Sequence, residues 1–214
     1  MAEQFLKAYS IHIGDLFQLV GSRNKAIIKT IKKNKRQAND VDDLIREWQK
    51  KPAKGEKPFG LDQALNDIVA GDLDKGRAYE YLRTLELFLE GEGKLLPDEV
   101  VFPGRGWQEI GKEISEWGLP TLGAAWCSPG FSFPWKKENS PASPAWPKVT
   151  AITTEDVSKL RYEINNFDPK FLLKHPLPKR LQGLETEVES FIQVLKKWLG
   201  NSSKDLVLLL DGQQ

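Results

Sequence analysis

Two segments with strand character stand at opposite ends of this chain. Residues 7–13 (KAYSIHI) alternate and carry aromatic and β-branched side chains, the period-two pattern of a half-buried strand. Residues 205–210 (DLVLLL) are nearly all apolar over a strand's length, the pattern of a strand buried on both faces. A lone strand leaves its backbone N–H and C=O groups unpaired, so each segment needs a neighbour. The pattern predicts that the two pair, and everything between them must then fold so that the chain's ends meet.

What lies between reads mainly as helix. Residues 15–20 and 24–33 have helical texture, separated at Gly21-Ser22, with Ser22 as the expected N-cap of the second. Asp40 is expected to cap a third helix running to Trp48, with Val41, Leu44, Ile45 and Trp48 on one face. Residues 50–58 (KKPAKGEKP) read as a linker. A helix over 61–69 is stopped by Gly71. Another spans 75–90, where Ala78, Tyr81, Leu82, Leu85, Phe88 and Leu89 make one continuous apolar face. Residues 148–153 suggest a strand, Thr154 an N-cap for a helix to 165, and 183–199 a last helix ended by Gly200-Asn201. The fold class is therefore α+β, predominantly helical, and the 214 residues read as a single domain.

Between Pro97 and Pro147 the texture changes. These 51 residues hold eight of the thirteen prolines and five of the seven tryptophans. A short amphipathic helix over 107–117 is expected inside an otherwise irregular segment. Pro129 and Pro134 exclude a long central strand, because proline donates no ladder hydrogen bond. Trp126, Phe131, Phe133, Trp135 and Trp146 fall in loop-like sequence. Loops run over the surface, so such rings either pin the segment to the core or meet a partner.

Composition narrows the function classes. The net charge of +1 gives no global attraction to nucleic acid or to an acidic membrane. Cys127 is the only cysteine, so no intramolecular disulfide forms, and the cytoplasm is the expected location. The first residues include Glu3 and lack a long apolar run, which argues against a secretory signal. No run approaches the ~20 apolar residues that span a bilayer.

The chemistry-bearing residues are few. His12 and His175 are the only histidines, and neither has metal-ligand spacing to Cys, Asp or Glu, so no metal and no cofactor is expected. Cys127 lacks the electropositive neighbours that activate a thiol. Gly104-Arg105-Gly106 before Trp107 opens a helix and offers an anion a turn of N–H groups, but without P-loop or dinucleotide-binding spacing. The first 60 residues carry thirteen Lys+Arg against seven Asp+Glu, and the rest carry eighteen against twenty-three. Such a basic third can meet phosphates. Here Asp40, Asp42, Asp43, Glu47 and Glu56 interrupt it, so nucleic acid is a disfavoured partner.

Three pieces carry a family resemblance. The first is Ala8-Tyr9-Ser10-Ile11 to Leu16, with Val20-Gly21-Ser22-Arg23 leading into a helix. The second is Ala64-Leu65, Ile68 and Gly71, with Tyr79-Glu80-Tyr81 and Leu85-Glu86-Leu87. The third is the helix at Trp107 with the aromatic, proline- and glycine-rich segment after it. Over residues 8–166 the chain resembles an uncharacterised bacterial family, a domain of unknown function found in actinobacteria and other groups. That resemblance implies no activity, and it leaves 32–57 and the C-terminal helix and strand without a counterpart.

The residues support a non-enzymatic, cytoplasmic interaction module that meets a protein partner through Arg105, Trp107, Trp126, Phe131, Phe133, Trp135 and Trp146. Two other readings stand beside it: a small-molecule or nucleotide-handling enzyme with a pocket near Gly104-Arg105-Gly106, and nucleic-acid binding through residues 29–57.

Overall fold

The structure is a computed structural model, and it describes residues 3–47, 58–74, 77–103, 113–127, 148–168, 170, 177, 179 and 182–212. The terminal strands pair as expected. β1 (Glu3–Ile11) runs antiparallel to β5 (Asp205–Gly212), with Leu6 opposite Leu210, Ala8 opposite Leu208 and Ser10 opposite Leu206. β4 (Lys148–Ile152) pairs antiparallel with the other side of β5. On the far side of β1 lie β2 (Lys94–Leu95) and β3 (Val100–Pro103), giving the order β2-β1-β5-β4 with β3 also on β1.

The described residues form two compact units. The first holds the sheet, Leu95 onward to α6 (Pro120–Cys127), and the helices α7 (Thr154–Asn166) and α8 (Glu185–Asn201). One sheet face, with Leu6, Ala8, Ile152, Leu206, Leu208 and Leu210, joins Leu160 and Ile164 of α7 and Phe191, Leu195 and Trp198 of α8 in a single core. The other face is covered as well, since Tyr9, Val207 and Leu209 are fully buried. Burial on both faces is why β5 reads as a continuous apolar run.

The second unit is helical: α1 (Ile13–Leu19) beyond its first residue, α2 (Ala26–Ile31), α3 (Lys35–Glu47), α4 (Leu61–Ala70) and α5 (Ala78–Glu92). Leu65, Ile68, Tyr81, Leu82, Leu85 and Phe88 are among its buried side chains. Of the predicted apolar face of α5, Tyr81, Leu82, Leu85, Phe88 and Leu89 are buried, and Glu80, Thr84, Glu86 and Leu87 outside that face are buried too. Gly71 ends α4 at φ +72, and its neighbour Asp72 returns a hydrogen bond to the Asp67 carbonyl. Two more α4 carbonyls, Ile68 and Val69, accept from Gly21 and Arg23 at 2.8 Å. Reaching both places Gly21 at φ +67 and holds Arg23 at φ +59, where an L-residue is strained.

Several expected boundaries move for local reasons. Ser22 is not the cap of α2: its hydroxyl donates to the Leu19 carbonyl and accepts from Asn24 N–H, while Asn24 accepts from Ala26 N–H. Asp40 lies inside α3, which begins five residues earlier at Lys35. The N-cap of α7 is Thr153, one residue before the expected Thr154, and its hydroxyl accepts from Asp156 N–H. α5 continues past Gly91, and α8 continues through Gly200 and Asn201. Burial of Trp198 and Leu199 outweighs the cost of about 1 kcal/mol for a helical glycine. Within 97–147, expected to be irregular apart from one helix, β3 and α6 are regular. The second of these places Trp126 on a helix instead of a loop. The linker at 50–57 lies outside the described residues.

Candidate functional site

Among the described residues, several charged side chains reach across the fold to helix ends. Asp205, the first residue of β5, accepts from Ile13 N–H at 2.9 Å with one carboxylate oxygen. With the other it accepts from the N–H and the hydroxyl of Thr154, both at 2.6 Å. Ile13 opens α1 and Thr154 opens α7, so one carboxylate closes two helix N-termini, where free N–H groups and the macrodipole both favour negative charge. Partial burial alone would raise the Asp205 pKa. The hydrogen bonds from Thr154 and Ile13, with the nearby His12 side chain, outweigh it and hold the carboxyl below its usual range.

The same device recurs. Glu163 of α7 accepts from the N–H and hydroxyl of Thr121, in the first turn of α6. In the helical unit, Asp42 of α3 accepts from Leu61 N–H, the first of α4, at 2.7 Å, and pairs with Arg46 at 2.6 Å. Arg161 does the converse, donating to the carbonyls of Leu199 and Ser202 at the C-terminal end of α8. In each case the remote partner supplies what the helix end lacks, so these groups are spoken for by the fold.

What the sheet unit leaves open is a corner at β2 and β3. Leu96 enters the core and its N–H donates to the Ala8 carbonyl at 2.9 Å. Trp198 donates its indole N–H to the Pro97 carbonyl at 2.8 Å, and Lys197 pairs with Asp98, which sits at φ +66. The turn is thus pinned to α8. Beside it, Lys7, Leu95, Leu96, Pro97, Asp98 and Glu99 line a cleft of about 430 Å³. Leu95 is 48% exposed and Val101 38%. Val101 is opposite Phe5 in the register, on the sheet face away from the core that Val100 enters. The sequence reading missed this corner because the proline-rich texture obscured the Val100-Val101-Phe102 run.

The helical unit has a second opening, a cleft of about 510 Å³ between the α2–α3 turn and the end of α5. Thr30, Lys33, Asn34, Gln37, Glu90 and Glu92 are among its lining residues.

Of the expected binding residues, Arg105, Trp107, Phe131, Phe133, Trp135 and Trp146 lie outside the described residues, as does the Gly104-Arg105-Gly106 turn. Trp126 is in the last turn of α6, next to Cys127. His12 is exposed and beside Asp205. Among the described residues no group of three or more His, Cys, Asp or Glu is placed to hold a metal ion, and no helix is long and apolar enough to cross a membrane.

A family model, the domain of unknown function DUF7691, matches residues 2–210. The match takes in 32–57 and the C-terminal helix and strand, which the resemblance read from the sequence left outside. No curated protein and no solved structure matches the chain.

Proposed function

The chain belongs to the DUF7691 family, and on that premise we propose that it is a non-enzymatic binding module for a protein partner. One observation carries the reading: the corner of the sheet unit exposes Leu95 in its cleft and Val101 on β3, around a turn held by Trp198, with Lys7, Asp98 and Glu99 as the cleft's polar rim. An apolar centre with a polar rim is the anatomy of a protein interface. The converging charged groups support the same reading, because Asp205, Glu163, Asp42 and Arg161 are engaged at helix ends. The aromatic segment with Trp126, Phe131, Phe133, Trp135 and Trp146 belongs to the proposal on its composition, as tryptophan is enriched among binding anchors. The single cysteine supports a cytoplasmic setting.

The test is site-specific photocrosslinking from Leu95 and from Trp135 in the native cell, with Leu95→Asp and Val101→Asp as loss-of-binding variants. Both positions are exposed, so the variants melt within about 1 kcal/mol of the parent. A crosslinked protein that both substitutions release supports the module. Crosslinks that neither substitution changes remove the corner from the proposal.

A further inference from the structure

Between residues 23 and 36 the chain carries seven cations, Arg23, Lys25, Lys29, Lys32, Lys33, Lys35 and Arg36, and no acid. In the structure they run from the loop before α2, through α2 and the turn after it, to the first turn of α3. All but Lys32 are exposed. Lys32 pairs with Asp62 at 2.5 Å, and among the described residues none of the other six has a carboxylate within ion-pair distance. The acids that interrupt this region in the sequence are elsewhere in space or in use. Asp42 caps α4 and holds Arg46, while Asp40 and Asp43 sit on later turns of α3 and bound the ridge.

Helix stability explains only part of this. Lys29, in the last turn of α2, suits the helix dipole, but Lys35 and Arg36 occupy the first turn of α3, which has no acidic residue and where the dipole disfavours cations. We propose that this ridge is a docking surface for a nucleic-acid strand, whose phosphates lie along the cations while an unstacked base enters the adjoining 510 Å³ cleft.

The chemistry selects this partner over the other polyanions. A bilayer or an acidic protein is held most firmly where apolar anchors stand beside the cations. The ridge offers none, because Ile27 and Ile28 are half-buried and Ile31 is buried. A phosphodiester backbone is held by charge alone. In the cleft, Glu92 repels phosphate but accepts hydrogen bonds from base amino groups, Thr30, Asn34 and Gln37 add neutral polar atoms, and Ile31, Leu87 and Phe88 offer a base apolar surface. The phosphates are thereby kept on the ridge and the bases turned inward.

The experiment measures anisotropy of a labelled oligocytidylate strand, whose bases carry an amino group, with the full chain, between about 50 and 200 mM salt. Replacing Lys29, Lys33, Lys35 and Arg36 together by Gln weakens binding at least about tenfold and reduces the salt slope by about 3, the value for four lost phosphate contacts on a single strand. A control with the same charge change, Lys94, Lys159, Lys170 and Lys179 to Gln, keeps most of the affinity. The ridge variant melts at or above the parent temperature, since first-turn cations are removed. If the quadruple variant fails to fold, Lys35→Gln with Arg36→Gln carries the test with half the slope change. Three results overturn the proposal: no salt-dependent binding by the parent, equal weakening by both quadruple variants, or ridge-dependent binding to phosphatidylserine vesicles tighter than to the strand. A duplex bound as tightly as the single strand removes the base from the cleft.

Discussion

Helix α7 begins with Glu155 and Asp156 and takes a further carboxylate from Asp205, whereas α3 begins with Lys35 and Arg36 and has no acid in its first turn. The two helices have the same length, thirteen residues, and the same free N–H groups at the start. One is furnished for stability. The other carries charges that its own backbone disfavours. Charge at the start of α7 therefore serves the fold, and charge at the α2–α3 turn is available for something outside the chain. The comparison also separates two kinds of charged residue that composition counts alike: Asp42, in use at the start of α4, and Lys35, unpaired at the surface among the described residues.

The largest effect that tests this contrast is at Asp205. Asp205→Ala leaves the first N–H of α1 and of α7 without their acceptor, and thermal or urea unfolding is expected to show a loss of about 2–3 kcal/mol. A loss under about 0.5 kcal/mol would break the comparison at its strongest point. The same group gives the pH dependence its sign. Its pKa is lowered in the folded state, so its contribution is complete above the ordinary carboxylate range and fades as pH falls through the folded value. Melts of parent and Asp205→Asn are therefore expected to differ most at neutral pH and to converge in strong acid; a gap that widens on acidification contradicts the assignment.

Next in size is Glu163→Ala, which uncaps α6. Loss of an acceptor that takes both the N–H and the hydroxyl of Thr121 is expected to cost about 1–2 kcal/mol. Thr153→Ala removes a local cap of α7, at about 1 kcal/mol, and the Asp205 cap persists beside it. The double variant Thr153→Ala with Asp205→Ala is expected to lose more than the sum, since either cap alone still holds the first turn.

The smallest effect carries the opposite sign. Lys35→Glu puts an acid in the first turn of α3, and a gain of about 0.3–1 kcal/mol is expected in chemical denaturation. The same substitution weakens strand binding. Stability and binding moving in opposite directions sharpen the contrast between the two helices; a loss of both assigns Lys35 to the fold.

Much of the fold was legible because its signals are short-range. The alternation of 7–13 and the apolar run of 205–210 indicated strands, and the helical period of the apolar residues from Ala78 to Leu89 indicated α5. The sequence placed β1 four residues late, since Glu3 to Leu6 are paired with β3, a partner hidden in proline-rich sequence. The corner at Leu95 and Val101 was not legible at all, because two exposed apolar residues become a surface only when β1 brings β2 and β3 side by side.

What the sequence determined by itself was periodicity, the strand character of the two end segments and the acid-free run of cations from Arg23 to Arg36. Each is a property of neighbours along the chain. Tertiary structure alone decided which charges are occupied. Asp205 meets Thr154 across 51 positions and Ile13 across 192, and Asp42 meets Leu61 across 19. No local pattern encodes such distances. A carboxylate at a helix N-terminus is stabilised by N–H groups that exist as free donors only once that helix has formed and docked, so its role appears only in the folded chain.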